Sequence, residues 1–219
     1  MKFSAAFMGL VFATSLSIAC QQQGLNCAPY DGACNLLIGI ASTQNLTGSR
    51  RMFVSTTTTT GFMSGIANGD GICQTDANTN GLSGTYKAMI ANGVGTLRRA
   101  SLSANTGDGQ LDWVLRANTV YYRSDGSTII STTGSNALLS VPLQNSISSG
   151  AGQYWSGMNA DWTTGVDSCA DSGAEGWTFV GAGAGNGDVG DVSATSTAAI
   201  RTTSVACSTG GLFLVCVEQ

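Results

Sequence analysis

The 219-residue chain contains no histidine. That absence removes the Ser-His-Asp and Cys-His arrangements, in which an imidazole takes the proton of the nucleophile. It also removes histidine-bearing zinc sites, leaving only thiolates or carboxylates as metal ligands. Carboxylate-pair chemistry stays open, because 13 Asp and Glu remain. Asp161, Asp167, Asp171 and Glu175 cluster along the chain, yet no pair among them has a recognisable catalytic context. No catalytic residue, metal ligand or cofactor is therefore assigned. Charge is scarce as well: 10% of residues are charged, against about 25% in a typical soluble domain. Surface polarity must come from Ser, Thr, Asn and Gly. Nine Lys and Arg scattered through a chain of net charge −4 offer no basic face for a nucleic acid. No apolar run reaches the roughly 18 residues of a membrane-crossing helix.

What is present begins with a leader. Lys2 is followed by an apolar or small stretch from Phe3 to Phe12, then by Leu16-Ser17-Ile18-Ala19-Cys20. A cationic start, a short apolar core and small residues before the cut mark residues 1–19 as a secretory signal peptide. Cys20 directly after the small residues fits a bacterial lipoprotein leader, in which the thiol takes a diacylglycerol and becomes the new N-terminus. An ordinary signal peptide cut near Ala19 is the competing reading. With Cys20 acylated, membrane attachment rests on the lipid. Residues 20–51 then form a tether opening on the polar spacer Gln21 to Gly24, and 52–219 form the domain.

Setting Cys20 aside leaves six of the seven cysteines: Cys27, Cys34, Cys73, Cys169, Cys207 and Cys216. An even number in an exported chain points to disulfides formed in an oxidising compartment. Cys27 and Cys34 flank a small loop and are expected to pair locally. Arithmetic does not choose among the remaining pairings. No CxxC knuckle favours a metal instead.

Met52-Phe53-Val54-Ser55 reads as a first strand, because aromatic and β-branched residues suit a pleated surface. Phe62 to Asn78 is the best helix: Phe62, Ile66, Cys73 and Ala77 fall on one stripe, and Gly81 is the stop. Gly65, Gly69 and Gly71 weaken that helix, each by about 1 kcal/mol relative to Ala, unless they allow a close neighbouring backbone. Tyr86, Ala88 and Ile90 alternate with Lys87 and Met89 as a half-buried strand does. Val120 to Arg123 and Thr128 to Ile130 flank an Asp125-Gly126 turn and form a hairpin. Tyr154-Trp155, Trp162 and Trp177 to Val180 are core or rim anchors, and Gly181 to Gly190 reads as a long flexible loop. Leu212 to Val217 is apolar on both faces, as a central strand is. The order predicts an α+β fold with mostly antiparallel short strands, one principal helix and long loops.

The stretch Phe62-Met63-Ser64-Gly65-Ile66-Ala67-Asn68-Gly69-Asp70-Gly71-Ile72-Cys73, followed by Gly81-Leu82-Ser83-Gly84-Thr85-Tyr86-Lys87-Ala88, resembles the first helix and next strand of endostatin, a collagen-derived domain with a C-type-lectin-like fold. The likeness continues at Leu97-Arg98-Arg99-Ala100, Ser124-Asp125-Gly126, Tyr154-Trp155-Ser156-Gly157, and Ala206-Cys207 through Leu214-Val215-Cys216-Val217-Glu218. Asp112-Trp113-Val114-Leu115-Arg116 with Tyr121-Tyr122-Arg123 is closer still to the leptospiral endostatin-like lipoproteins. Coverage runs from about Met52 to Gln219. The resemblance implies two bridges, Cys73 to Cys216 and Cys169 to Cys207. It does not carry over endostatin's zinc, which is held largely by histidines, nor heparin binding, since only Arg98, Arg99, Arg116 and Arg123 recur in an acidic protein. The Glu-Pro-Asn type loop of calcium-dependent lectins is also absent. Asn186, Asp188 and Asp191 form either a solvated turn or a weak calcium site.

The leptospiral relatives imply a surface-exposed, non-catalytic lipoprotein of the outer membrane. Their partners are host matrix proteins such as laminin and fibronectin, and the complement regulator factor H. Arg98 and Arg99 are the candidate contacts, since interface anchors favour arginine and aromatics. An envelope lipoprotein with no host ligand is the first alternative. A carbohydrate-binding module stacking sugars on Trp155, Trp162 and Trp177 is the second.

Overall fold

The computed structural model describes residues 48–92, 97–170, 176–178 and 185–219. The leader, Cys20, Cys27, Cys34 and most of the expected tether lie outside them, as do Asp171 and Glu175.

Strand β1 (Gly48–Val54) opens the domain, so Gly48 to Arg51 belong to the sheet rather than to a tether. It is followed by α1 (Ile66–Thr79), β2 (Tyr86–Ala88), β3 (Thr119–Tyr122), β4 (Ile129–Thr132), β5 (Gln153–Trp155), β6 (Asn186–Asp191), β7 (Thr203–Ala206) and β8 (Val215–Glu218). Five strands form one sheet in the order β2-β8-β1-β3-β4, and three form a second in the order β5-β6-β7. Among the named strands β1 and β3 pair in parallel and every other pairing is antiparallel. The protein is a mixed α+β domain with one α-helix among the described residues.

The large sheet is covered on both faces, and the residue alternation along its strands shows it. Met52 on β1 and Val215 and Val217 on β8 enter one core with Tyr121, Ile130, Tyr154 and Trp162. Phe53 and Cys216 enter the other with Ile66, Cys73, Tyr86, Trp155 and Trp177. Strand β8 sits between β2 and β1, which explains the unbroken apolar run at that end of the chain.

The helix starts four residues later than its apolar stripe suggests. Ser64 (φ 59°) and Gly65 (φ 96°) stand in the left-handed region and cannot continue a right-handed helix. Its end follows the sequence: Gly81 (φ 68°) donates to Asn78 O at 3.1 Å and Leu82 to Ala77 O at 2.9 Å, the paired bonds of a glycine-terminated helix. Gly69 lies against Met63, Ala88 and Leu214, so a bare backbone lets α1 settle onto β2. Gly71 has open space where a Cβ would stand. Gly71→Ala is therefore expected to raise the unfolding free energy by about 0.5–1 kcal/mol in urea titration. A loss of stability would show that Gly71 meets a neighbour.

Two bridges pin the halves together. Cys73 on α1 joins Cys216 on β8, and Cys169 joins Cys207, the pairing the resemblance implies. Asp76 adds a polar pin: its carboxylate accepts from Thr56 N at 2.7 Å, Thr57 N at 2.8 Å and Thr57 Oγ1 at 2.7 Å. Burial pushes its carboxyl up, but the hydrogen bonds from Thr57 and Thr56 outweigh that and hold it below the usual range.

Candidate functional site

Arg98 and Arg99 are adjacent in sequence and opposite in role. Arg98 is 1% exposed and forms an internal hub, which corrects its expected place as a ligand contact. Its Nη1 and Nη2 donate to the two oxygens of Asp70 at 2.8 and 2.9 Å. Nη1 also donates to Ala88 O at 2.9 Å, and Nε to Asp112 O at 3.1 Å. Asp112 completes the ion pair from the other side and itself holds Lys87. One guanidinium thus ties α1, β2 and the 112 segment, a geometry its planar fork of donors suits. Burial opposes the charge, but the hydrogen bonds and charges of Asp70 and Asp112 prevail and raise the pKa above its ordinary value.

Arg99 is half-buried at the surface. Its backbone exchanges hydrogen bonds with Leu111 at 3.0 and 3.2 Å, an antiparallel bridge that sets the two side chains beside each other. Its Nε donates to Gly109 O at 2.8 Å. A Cβ at Gly109 would lie 2.4 Å from Leu102 Cδ1 and 3.5 Å from Arg99 Nη2, so these two side chains converge over that glycine. Leu102 is 59% exposed, and Leu97 and Leu111 are 39% and 38% exposed. Large apolar side chains in water are informative when they gather. Here Leu102 and Leu111 stand beside one arginine.

The loop presenting them is rigid for a local reason. Asp108 accepts from Leu102 N at 2.9 Å, Ser103 N at 2.8 Å, Ser103 Oγ at 2.9 Å and Thr106 Oγ1 at 2.7 Å. Those bonds, Thr106 foremost and then Ser103, hold its carboxyl well below the usual carboxylate range. A loop ordered before contact loses less entropy on binding. Short polar residues around an aspartate were the available signal for it, but nothing local marks Leu102 as exposed.

The other expected sites resolve differently. Trp155, Trp162 and Trp177 are all core residues, 0%, 2% and 0% exposed, so none is a stacking platform for a sugar. Much of the expected flexible glycine loop is strand β6. Residues 181–184 of it lie outside the described set. In β6, Gly187 and Gly190 are where the rings of Trp155 and Tyr154 lie on the backbone, at 2.7 and 2.4 Å from a would-be Cβ. Asn186, Asp188 and Asp191 therefore sit along a strand. Asp188 is buried and paired with Arg201 Nε at 2.8 Å, while Asp191 accepts from Ser193. Burial pushes the Asp188 carboxyl up, against the pull of Arg201. Among the described residues no group of three or more Asp, Glu or Cys is arranged to hold a metal. Asp161 caps its own turn through Thr163.

Two clefts border strand β1. One, about 500 Å³, is lined by Phe53, Asn80, Leu82, Arg123 and Asp125 among others. Arg123 is engaged there, with Nε and Nη2 donating to Ser146 O at 2.9 and 2.8 Å. The second, about 390 Å³, is lined by Ser49, Arg50, Arg51, Tyr122, Gly126 and Glu218. Neither is marked by sequence, because each brings together residues far apart along the chain.

Fold and surface together define a disulfide-pinned α+β module that displays an ordered apolar–arginine loop. The chain belongs to the family described as Protein of unknown function (DUF1554), whose model matches residues 56–195. That span holds Arg98, Arg99, Leu102, Asp108 and Leu111. No curated protein matches the chain.

Proposed function

We propose that this protein is a lipid-anchored binding protein of the outer-membrane surface, with an endostatin-like fold, that engages host matrix proteins. Laminin and fibronectin are the first partners to test, and complement factor H the next. The observation that carries the reading is the ordered Asp108 loop, which sets exposed Leu102 and Leu111 beside Arg99. A rigid apolar surface centred on an arginine suits protein recognition, because arginine supplies charge and several donors while leucines release water. The two bridges and the ordered motifs of the resemblance support the fold part of the reading.

The test is a binding series with the protein on laminin, fibronectin and factor H, across salt concentration. At least one is expected to bind, and the double variant Arg99→Ala/Leu102→Ser is expected to weaken that binding at least about tenfold with an unchanged unfolding midpoint. A steep salt dependence assigns the larger share to Arg99, a flat one to the leucines. Absence of binding to all three favours an envelope lipoprotein without a host ligand.

A further inference from the structure

The 390 Å³ cleft is lined by two cations, Arg50 and Arg51, and one anion, Glu218, which forms an ion pair with neither among the described residues. Arg51 and Glu218 are held together through the backbone, with Arg51 N donating to Glu218 Oε2 at 2.8 Å. Arg51 Nε is buried and has no hydrogen-bond partner among the described residues. The buried hydroxyl of Tyr86, the register partner of Glu218, interacts with Arg51 but makes no close hydrogen bond of its own. That contact replaces only part of the hydration the two groups lose on burial. Gly126 matters here: a Cβ on it would stand 3.6 Å from Arg51 Nη2 and 3.8 Å from Nε, and its φ of 69° disfavours one. The missing side chain leaves the Nη2 edge of the guanidinium uncovered on the cleft side, while Nε is buried. Tyr122, paired with Arg51 across β1 and β3, supplies an aromatic wall. Arg50 is turned to other work, its Nη1 donating to Gln219 O at 2.8 Å.

We propose that this cleft binds a sugar acid, with Arg51 clamping the carboxylate, Glu218 accepting from ring hydroxyls and Tyr122 lying against the ring. Each part is dictated by the wall. A guanidinium matches a carboxylate through two parallel hydrogen bonds. Glu218 repels a ligand that is anionic throughout, such as a run of acidic residues, but welcomes hydroxyl donors. A ring carrying one carboxylate and several hydroxyls satisfies both charges at once. None of these residues belongs to the Arg99 surface, and the site stands independently of matrix-protein binding.

Titration of the full-length protein with N-acetylneuraminate and with glucuronate, followed by calorimetry and saturation-transfer NMR, tests the site, with glucose as the neutral control. At least one sugar acid is expected to bind more tightly than glucose. Arg51→Gln should weaken it roughly 10- to 100-fold, the loss of one charge-assisted pair. Arg51→Lys, which keeps the charge but not the fork, should fall between, and it carries the test if the glutamine variant does not fold. Glu218→Gln should weaken the sugar acid. No binding of either acid, glucose bound equally well, or no effect of either Arg51 variant overturns the proposal. So does a hexaglutamate peptide that binds in their place and tightens in Glu218→Gln, which would make the cleft an acidic-peptide site.

Discussion

Alanine at both Cys73 and Cys216 is expected to lower the unfolding free energy by about 5 kcal/mol. The bridge spans 143 residues between α1 and β8, and in the chain-entropy account a loop of that length restricts the unfolded ensemble by about 5 kcal/mol. Both sulfurs are fully buried, so alanine introduces no polar atom and the chain-entropy effect dominates. Total stability of a domain is about 5–15 kcal/mol, so the variant stands close to unfolding. Guanidinium titration should show a lower midpoint together with a larger slope, because the uncrosslinked chain exposes more surface. A loss under about 2 kcal/mol with an unchanged slope would contradict this. The Cys169–Cys207 bridge spans 38 residues and should contribute about 4 kcal/mol by the same relation.

Arg98→Met is expected to be strongly destabilising. Removing one partner of a buried ion pair costs about 3–5 kcal/mol, chiefly because the remaining charge is left desolvated. Asp112 is 46% exposed and Asp70 22%, so water softens the penalty and the lower end, about 3 kcal/mol, is expected. The same hub predicts an acid response. Burial pushes the Asp112 carboxyl up, but hydrogen bonds from Lys87 and Arg98, with their charges, outweigh that and hold it below the usual range. With the folded value below the unfolded one, the stabilisation is complete above the ordinary carboxylate range and is lost as pH falls through the lowered value. Denaturant titrations at a series of pH values should show that loss in the wild type and a shallower one in Arg98→Met. Equal acid sensitivity in the two would place it elsewhere, Asp76 being the next carboxylate to examine.

Local chemistry made part of this fold legible. The 120–130 hairpin follows from its Asp-Gly turn, the helix stop from Gly81, and the centrality of β8 from an apolar run with no polar face. What could not be read depends on distant partners. Arg98 looks like a surface arginine until Asp70 and Asp112, 28 and 14 residues away, close on it. The parallel pairing of β1 with β3 leaves no mark in either strand's pattern. Gly187 and Gly190 read as a loop because glycine usually breaks strands. In β6 they are instead the positions where Trp155 and Tyr154 press on the backbone. The tryptophans misled for the complementary reason: an aromatic serves a core and a sugar platform equally well until burial decides. Of the two predicted contact arginines, Arg99 stays at the surface, and the leucines around it emerge only once the Asp108 loop is folded.

The most direct measurement of the central claim is the affinity of the protein for laminin, fibronectin and factor H, compared with that of Arg99→Ala/Leu102→Ser. Saturable binding of the wild type to at least one partner, with a tenfold or greater loss in the equally stable variant, is the predicted result. Binding that the double variant leaves untouched, or none by either protein, would contradict it.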